Sequence, residues 1–429
     1  MSSRRCHIES RCDTLAVTGR ARTLVCGAVP LPPPVLTPRT RPALRTAALG
    51  AVLVLAFVLL RLAFATRLGG FVVASADFVD PSATPDRLPV VTDTGGYDGQ
   101  FVYRLALEPW TTEATAYGIE LDTPAYRQQR IATPTLAWAV GLLPGVSTLL
   151  ALLLVNAGAL VVAASYGGRL AARLGRHPAW GLLLAFPACM PISLGRHLTE
   201  PVAWAAVLAG LWYARERRWP AAAVALSVAV LARESSLLIV AGLAAGEVLA
   251  ALLTRRASRR PAPGGAGVAA SLAWLAVPVT VGLAWQLVLL AVWGSLPLRS
   301  GGSGNLGSPP LAGVLGSLLA DVPGSAPVQV AVVGARLATL ALLAYAGLTL
   351  VLRRSRLSGG EAVAWVLAAL LALSLRAWSS DVQFLRAANE AVGLSVLVAL
   401  GDDSRLGRAA RLLAAALVLG VAAEYAIRQ

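Results

Sequence analysis

Long apolar stretches alternate with short basic segments along most of this 429-residue chain. A helix needs about 20 apolar residues to cross a hydrocarbon core of about 30 Å, and shorter helices are tolerated where they break around a cavity. The pattern predicts an all-α fold, a polytopic transmembrane helix bundle with about 11 spans. The predicted spans lie near residues 43–65, 145–167, 179–195, 200–214, 219–233, 235–253, 266–293, 327–352, 361–377, 386–400 and 411–427.

The composition excludes most classes of soluble protein. Hydrophobic residues make up 57% of the chain and charged residues only 14%, whereas soluble domains carry about 25% charged residues. So much apolar surface cannot be buried in one core, which excludes a disordered chain, a fibre and an ordinary cytosolic enzyme. The four cysteines are too scattered to indicate a metal site or a disulfide framework.

The net charge of +15 comes from arginine, because the 37 basic residues include no lysine. Of these arginines, 24 fall in the N-terminal segment up to Arg45 and in alternate loops near 169–176, 215–218, 255–260, 353–356 and 405–411. The positive-inside rule assigns such segments to the cytoplasm. The chain is therefore predicted to be a multi-pass plasma-membrane protein with a cytoplasmic N-terminus. Membrane lipids are its expected partners, and nucleic acid is not.

Residues 1–42 are predicted to form a disordered cytoplasmic arm that precedes a transmembrane domain of residues 43–429. The arm contains the run VPLPPPVLTPRTRP, in which each proline lacks an amide donor and cannot occupy a helix interior. No apolar periodicity accompanies the run to offset the entropy of ordering it. The alternative is an arm that binds a cytoplasmic partner through polyproline segments.

Two long loops fall on the opposite, extracytoplasmic side. The first, residues 66–133, has nine carboxylates against five arginines, and the second, residues 294–326, is rich in Gly, Ser and Pro. Functional side chains concentrate on loops that a rigid scaffold positions, so we expect the protein to act on this face. The first loop is expected to carry short amphipathic helices, and the run 134–143 is expected to form a short helix against the membrane.

The segment DTGGYDGQFVYRLALEPW, residues 93–110, is the densest polar stretch. It predicts an amphipathic helix on the outer membrane surface, with Arg104 and Glu108 paired at i,i+4. Asp98 precedes this helix and has two roles open: an N-cap or a general base facing a cavity. If Asp98 is the base, Asp98→Asn should change stability by less than about 1 kcal/mol, because Asn caps helices about as well, while activity falls by about 100-fold or more. If Asp98 is only an N-cap, Asp98→Asn should be silent and Asp98→Ala should lower stability. Asp93 is a second candidate base, or a turn residue.

Two arginines follow in the segment LDTPAYRQQRIATP, residues 121–134. The Thr123-Pro124 pair predicts a helix start, because proline is favoured in the first turn. Arg127 and Arg130 then share one face at i,i+3. Two adjacent guanidinium groups suit a phosphate or pyrophosphate, which they bind by bidentate hydrogen bonds. The alternative is a pair of arginines that reach lipid headgroups.

Three further corners on the same side, GRHLTEP, ARESS and SSDVQFLRAANE, carry ionisable residues. Ionisable groups near an apolar zone are costly and usually face a cavity or a partner. The structural alternatives are that Glu200 complements a helix N-terminus and that Arg233 pairs with Glu234. The candidate phosphate-binding residues are Arg127, Arg130, Arg233 and Arg386. The other candidate pocket residues are Tyr97, Gln100, Arg104, Asp122, Arg196, His197, Glu200, Glu234 and Asp381.

The chain resembles the GT-C superfamily of polytopic glycosyltransferases, which use polyprenyl-phosphate-linked sugars. The resemblance rests on YDGQFVYRLA in the first loop, on residues 198–243 from LTEPVAW to LLIVAGL, and on FLRAAN before the late helices. The middle segment is similar to bacterial mannosyltransferase-like members. Better-known members carry a C-terminal periplasmic domain, whereas this sequence ends just after its last predicted span, so the resemblance does not predict the acceptor.

The resemblance implies a GT-C-like fold and a bacterial cell-envelope enzyme that transfers a hexose with inversion to a glycan or lipid acceptor. It also implies that Asp98 or Asp93 serves as the base or as a ligand of a divalent cation, Mg²⁺ or Mn²⁺. Arginines would stabilise the departing lipid phosphate. The alternatives are a lipid or solute transporter or flippase and a non-catalytic membrane assembly protein. The enzyme hypothesis requires the charged corners to converge with Asp98 on one cavity.

Overall fold

The computed structural model describes residues 40–65, 67–92, 95–257, 266–302, 309, 311–319, 325–352, 354–374, 378 and 384–427. The predicted N-terminal arm lies outside the described residues up to position 39, and so do the candidates Asp93 and Asp381. The first helix begins at Thr40, so the last three residues of the predicted arm are helical.

The described chain is mostly helical, as the apolar pattern predicts. The helices are α1 (Thr40–Ala65), α2 (Gly99–Leu107), α3 (Pro124–Gln128), α4 (Ala132–Gly141), α5 (Thr148–Arg173), α6 (Leu182–Ala185), α7 (Met190–Gly195), α8 (Glu200–Arg215), α9 (Trp219–Ala232), α10 (Leu237–Ala257), α11 (Ala266–Trp293), α12 (Ala312–Leu319), α13 (Ala326–Val351), α14 (Gly359–Ser374), α15 (Phe384–Ala387), α16 (Asn389–Gly401) and α17 (Arg405–Ile427). Four two-residue strands are β1 (Ala74–Ser75), β2 (Val90–Val91), β3 (Thr115–Ala116) and β4 (Ile119–Glu120).

Within the described ranges, six helices are long and apolar enough to cross a membrane: α1, α5, α10, α11, α13 and α17. Their outward side chains are apolar and widely exposed. Leu55, Leu283 and Leu419 are 57%, 61% and 69% exposed. Apolar surface of this extent is typical of helices that face lipid. The helix lengths and the surface are therefore those of a membrane protein.

The other five predicted spans are shorter or broken, so the prediction of 11 spans is not confirmed. The helices α8, α9, α14 and α16 have 16, 14, 16 and 13 residues, and a straight crossing needs about 20. The run 179–195 divides into a turn at Pro178–Gly181 and the short helices α6 and α7. Pro187 follows α6, and its missing amide hydrogen prevents a continuous helix there.

Residues 67–147, the first-loop region, fold into a small layer on the helices. Strands β1 and β2 pair in parallel, and β3 and β4 form a hairpin. Tyr117 and Gly118 close the hairpin, and both have the positive φ that a tight two-residue turn needs. Helix α2 packs against α4 and α5 and is buried from Gly99 to Ala106. Protein therefore covers α2 on all sides, partly through the loop's own core, which includes Val72 and Ile119, so the helix has no exposed polar face of the kind that its amphipathic pattern predicts.

Arginines of the predicted cytoplasmic segments donate hydrogen bonds to backbone carbonyl oxygens at the C-terminal end of α16. Arg176 donates to the carbonyl oxygen of Leu400, and Arg411 donates to that of Ala399. These carbonyls belong to the last turn of α16, where a helix has no internal donors for them and carries partial negative charge. The basic segments that predict topology thus also cap a buried helix.

Close helix packing in the core depends on small residues. Gly242 and Gly246 of α10 face Ala364 and Gly360 of α14, and a Cβ at either glycine would collide with backbone atoms of α14. Small residues spaced four apart let two helices approach closely where lipid supplies no hydrophobic drive.

We expect Gly246→Leu to lower the thermal stability of the detergent-solubilised protein, because overpacking a close contact costs about 1–3 kcal/mol. Gly158 of α5 is the matched control, since no atom lies within 4 Å of a Cβ there. Gly158→Leu should leave the melting temperature near that of the native chain. Equal melting temperatures for the two variants would contradict the close α10–α14 contact.

Candidate functional site

Charged residues from distant parts of the sequence meet at one end of the bundle. This arginine–carboxylate cluster comprises Asp98, Asp122, Arg127, Arg130, Glu200, Arg233, Glu234, Arg386 and Glu390. Helix α8 begins in the cluster at Glu200 and ends at Arg215, so the basic turns lie about 22 Å away, at a rise of about 1.5 Å per residue.

Three arginines surround the Asp98 carboxylate. Arg127 Nη1 lies 2.7 Å from Oδ1, and Arg386 Nη2 lies 3.0 Å from Oδ2. Arg130 Nη1 approaches Oδ2 at 3.9 Å. Asp98 and α3 both belong to the first-loop region, so the contact with Arg386 connects this region to α15.

Asp98 occupies the N-cap position of α2, but its side chain does not cap the helix. Its backbone already has helical angles, φ −54° and ψ −23°, and its side chain makes no capping hydrogen bond. The side chain turns to the arginines instead. Side-chain capping by Asp98 is therefore wrong, and the stability of Asp98→Asn depends on the contacts with the arginines.

The arginines determine the ionisation of Asp98. Burial alone would raise its pKa, but the charges of Arg386, Arg127 and Arg130 outweigh burial and hold the pKa well below its usual range. Asp98 is therefore ionised in this arrangement. A carboxylate with so low a pKa is a weak base until the positive charge around it decreases.

A second carboxylate, Glu200, lies behind Asp98. Arg386 Nε donates to Glu200 Oε1 at 2.7 Å, and Arg233 Nη1 donates to the same oxygen. Arg233 Nη2 also donates to the carbonyl oxygen of Arg386 at 2.7 Å. Glu200 occupies the first turn of α8, as its helix-N-terminus alternative predicts, but it also pairs with two arginines. The predicted Arg233–Glu234 pair is not present: Arg233 turns to Glu200.

The remaining arginines are also paired. Arg130 makes a two-point contact with Glu234, at 2.7 and 3.0 Å, and Arg127 makes one with Asp122, at 2.7 and 2.8 Å. Every predicted phosphate-binding arginine therefore already binds a carboxylate. A phosphate that makes bidentate contacts with these arginines has to compete with their carboxylate partners.

The cavity beside Asp98 is small. Asp98, Arg127, Arg130 and Arg386 line it together with apolar neighbours, and its volume is about 20 Å³. That space is about enough for one water molecule. Of the residues that the enzyme hypothesis requires at one cavity, Asp98, Arg127 and Arg386 line this one, whereas Arg233 and Glu200 do not.

An aromatic extension connects the cluster to α17. Arg386 Nη1 donates to the Tyr97 hydroxyl at 3.1 Å, and Arg196 lies 4.0 Å above the Tyr97 ring. Arg196 Nε also donates to the Tyr425 hydroxyl at 3.0 Å. Stacked guanidinium and aromatic groups of this kind attract each other by about 0.5–2 kcal/mol. Tyr97 and Arg196 therefore contact the cluster, although neither lines the cavity beside Asp98.

Three predicted pocket residues lie outside the cluster. Gln100 is buried and accepts from the Ser75 amide, so it orders the first-loop region. Arg104 pairs with Glu108, at the predicted i,i+4 spacing, and faces away from Asp98 toward Thr111. His197 is fully buried and stacked on a phenylalanine ring. Burial lowers the pKa of His197 to about 3, so this imidazole is neutral at physiological pH.

Some residues of the site had only weak sequence signals. Glu390 accepts from Ser235 Oγ at 2.6 Å and lies 3.6 Å from Arg233 Nε. Its signal is a carboxylate at the start of an apolar helix. Tyr126 accepts from Arg130 at 3.2 Å and orients that arginine, and the i,i+4 spacing of the two residues in a predicted helix is the sequence signal for this contact.

The described residues do not fit a divalent cation. Among the described ranges, no group of three or more His, Cys, Asp or Glu side chains is arranged to hold a metal ion. The Asp98 oxygens face three guanidinium groups, whose positive charge opposes a cation. Mg²⁺ and Mn²⁺ prefer several oxygen ligands, and none of the carboxylates here is free of arginine.

No protein-family model, curated protein or solved structure matches this chain. The geometry of the site is therefore the basis for its interpretation.

We expect Asp98 and Arg386 to be energetically coupled. Removing one partner leaves the other charge unpaired in a partly buried site, so the double variant should lose less stability than the sum of the losses of Asp98→Asn and Arg386→Gln. A double-mutant cycle on the free energy of unfolding in mixed micelles should give a coupling of about 1 kcal/mol or more.

The control cycle pairs Asp98→Asn with Arg215→Gln. Arg215 forms its own two-point contact with Glu361 and lies far from the cluster. Distant sites act independently, so this cycle should be additive. Additive behaviour of the Asp98–Arg386 pair as well would show that the contact contributes nothing.

Proposed function

We propose that the chain is an inverting membrane glycosyltransferase that moves a sugar from a polyprenyl-phosphate-linked donor to a hydroxyl of a glycan or lipid acceptor. The observation that supports this most directly is the placement of Asp98 among Arg127, Arg130 and Arg386. A carboxylate and phosphate-binding groups at one point combine a base with a site for an anionic leaving group.

The ion pairs suggest that donor binding is a partner exchange. A donor phosphate competes with carboxylates for the same guanidinium groups, and arginine binds phosphate by bidentate contacts. Each arginine that turns to the phosphate removes positive charge from Asp98. The pKa of Asp98 then rises toward its usual range, and the carboxylate becomes a stronger base. Donor binding thus prepares the base.

The proposed reaction needs one proton transfer and one displacement. Asp98 accepts the proton of the acceptor hydroxyl, and the oxygen attacks the anomeric carbon on the side opposite the phosphate. The bond between that carbon and the phosphate oxygen breaks, and its electron pair remains on the lipid phosphate. Arg127, Arg130 and Arg386 stabilise the negative charge that develops there. No step uses a metal ion.

The proposed setting is the extracytoplasmic face of a bacterial plasma membrane, with a cytoplasmic N-terminus. The separation of charges supports this orientation, because Arg215 and Arg411 lie at the end of the bundle opposite Asp98. Arginine-rich turns favour the cytoplasmic side. The acceptor would then belong to the cell envelope.

We expect Asp98→Asn to reduce sugar transfer by about 100-fold or more, because the variant lacks the proton acceptor. Arg127→Gln should mainly raise the KM for the donor, and Arg127→Lys should restore it only in part, since lysine cannot bind in two-point fashion. The assay follows labelled sugar from a panel of polyprenyl-phosphate sugars in proteoliposomes.

Arg215→Gln is the matched control for the loss of a buried ion pair, and it should retain native turnover. Full activity of Asp98→Asn would refute the role of the carboxylate. Movement of lipid-linked sugar across the vesicle membrane, without transfer to an acceptor, would instead identify a flippase.

A further inference from the structure

The C-terminal ends of α5 and α8 carry a half-buried pair of tyrosines. The hydroxyl oxygens of Tyr166 and Tyr213 lie 2.6 Å apart, and the two ring centres are 5.6 Å apart. One hydroxyl hydrogen lies between the two oxygens, and the other has no acceptor within the part of the chain that the structure describes. Tyrosines with an apolar ring and a polar tip are typical of the membrane–water interface. The tyrosine pair therefore indicates where α5 and α8 leave the hydrocarbon core.

Two arginines lie against this tyrosine pair. Arg169 Cζ is 5.2 Å from the centre of the Tyr166 ring, and Arg218 Cζ is 5.0 Å from that of Tyr213. Trp212 adds a third ring, 5.9 Å from Arg169 Cζ. An aromatic ring attracts a guanidinium group electrostatically but accepts none of its strong N–H hydrogen bonds. The rings thus hold two positive charges beside one pair of hydroxyl groups.

These two charges are not balanced within the described protein. Among the described residues, the side chains of Arg169 and Arg218 form no hydrogen bond or ion pair, and Arg169 Nε is buried. The carboxylate at this end of α8, Glu216, pairs with Arg173 instead. The arrangement is the reverse of the arginine–carboxylate cluster, where each arginine contacts a carboxylate. A half-buried guanidinium without an acceptor is costly, so an anion from outside the chain would stabilise it.

An exposed apolar stripe on α5 leads to these arginines. Leu154, Gly158 and Val162 are exposed and precede Tyr166 and Arg169 at intervals of three or four residues, so all five lie on one side of the helix. Helix α5 is long enough to span a membrane. From Gly158 to Arg169 it rises about 16 Å, about half of a hydrocarbon core of about 30 Å. An acyl chain on this stripe therefore ends at Arg169.

We propose that Arg169, Arg218 and the tyrosine pair bind the phosphate of an anionic phospholipid whose acyl chain lies on the α5 stripe. The two arginines supply charge-assisted hydrogen bonds, and the second tyrosine hydroxyl hydrogen supplies another. Basic residues beside spanning helices attract anionic lipids, and here aromatic contacts hold two of them at one place. A zwitterionic lipid would add a cation, whereas Glu216 is already paired. The site is separate from Asp98 and does not depend on the proposed glycosyltransferase function.

The experiment measures phosphatidylglycerol binding to the full chain in detergent by native mass spectrometry. The native chain should bind phosphatidylglycerol more tightly than phosphatidylcholine. Arg169→Gln and Arg218→Gln should each weaken phosphatidylglycerol binding by about tenfold, because each removes a charge-assisted contact. Arg169→Lys should restore it only in part, since lysine keeps the charge but loses the planar group that stacks on Tyr166.

Arg408→Gln is the matched control. Arg408 is an exposed arginine in the first turn of α17, also in a predicted cytoplasmic segment, and its side chain has no aromatic contact among the described residues. This variant loses the same charge and should keep native affinity. The melting temperature without added lipid shows whether each variant folds. Tyr166→Phe and Tyr213→Phe keep the rings, so the double variant tests the hydroxyl contact even if Arg169→Gln unfolds, and it should bind phosphatidylglycerol more weakly than the native chain.

Equal losses in Arg169→Gln and Arg408→Gln, or full rescue by Arg169→Lys, would overturn the site, because net charge alone would then explain binding. Native affinity in the folded double tyrosine variant would remove the hydroxyls from it. Equal binding of phosphatidylcholine would refute the preference for an anionic lipid. Glycerol phosphate, a soluble headgroup without acyl chains, should not compete at the same concentration. Competition equal to that of phosphatidylglycerol would show that the arginines bind free phosphate groups, and the lipid assignment would be wrong.

Discussion

The pairing of Asp98 with Arg127 and Arg386 is the interaction on which the rest of the site depends. Removing charges from water is costly, and a partly buried carboxylate is tolerated only with partners in place. The cluster holds five carboxylates and four arginines, and each arginine contacts at least one carboxylate. These contacts connect the first-loop region to α8, to the turn between α9 and α10, and to α15, so the charges and the fold stabilise each other.

The same pairing explains why the cavity is so small. Carboxylates occupy the positions that a donor phosphate would take, and about 20 Å³ remains beside Asp98. In the proposed function, substrate binding is then an exchange of ion-pair partners rather than the filling of an open pocket. Such an exchange couples donor binding to the basicity of Asp98, because each departing arginine raises the carboxyl pKa. It also keeps the carboxylate a weak base while no donor is bound.

Local features of the sequence predicted the helices better than they predicted the contacts between distant residues. The long apolar runs of α1, α5 and α11 are visible residue by residue, and so is the Arg104–Glu108 spacing within α2. The break between α6 and α7 was missed, because hydropathy does not register a proline inside an apolar run. The convergence of Asp98, Arg127 and Arg386 followed from charge in an apolar setting. The pairing of the arginines with individual carboxylates did not follow from the sequence. Glu234 is next to Arg233 in the sequence, yet the turn after α9 directs Arg233 to Glu200.

Affinity for polyprenyl phosphate, measured on the native chain and on Asp98→Asn, tests the partner exchange most directly. If Asp98 competes with the phosphate for the arginines, removal of its charge leaves these arginines free for the ligand. The account predicts that Asp98→Asn binds polyprenyl phosphate more tightly, by about tenfold, although it has lost its proton acceptor. Equal or weaker binding by Asp98→Asn would contradict the exchange of partners and the role assigned to this carboxylate.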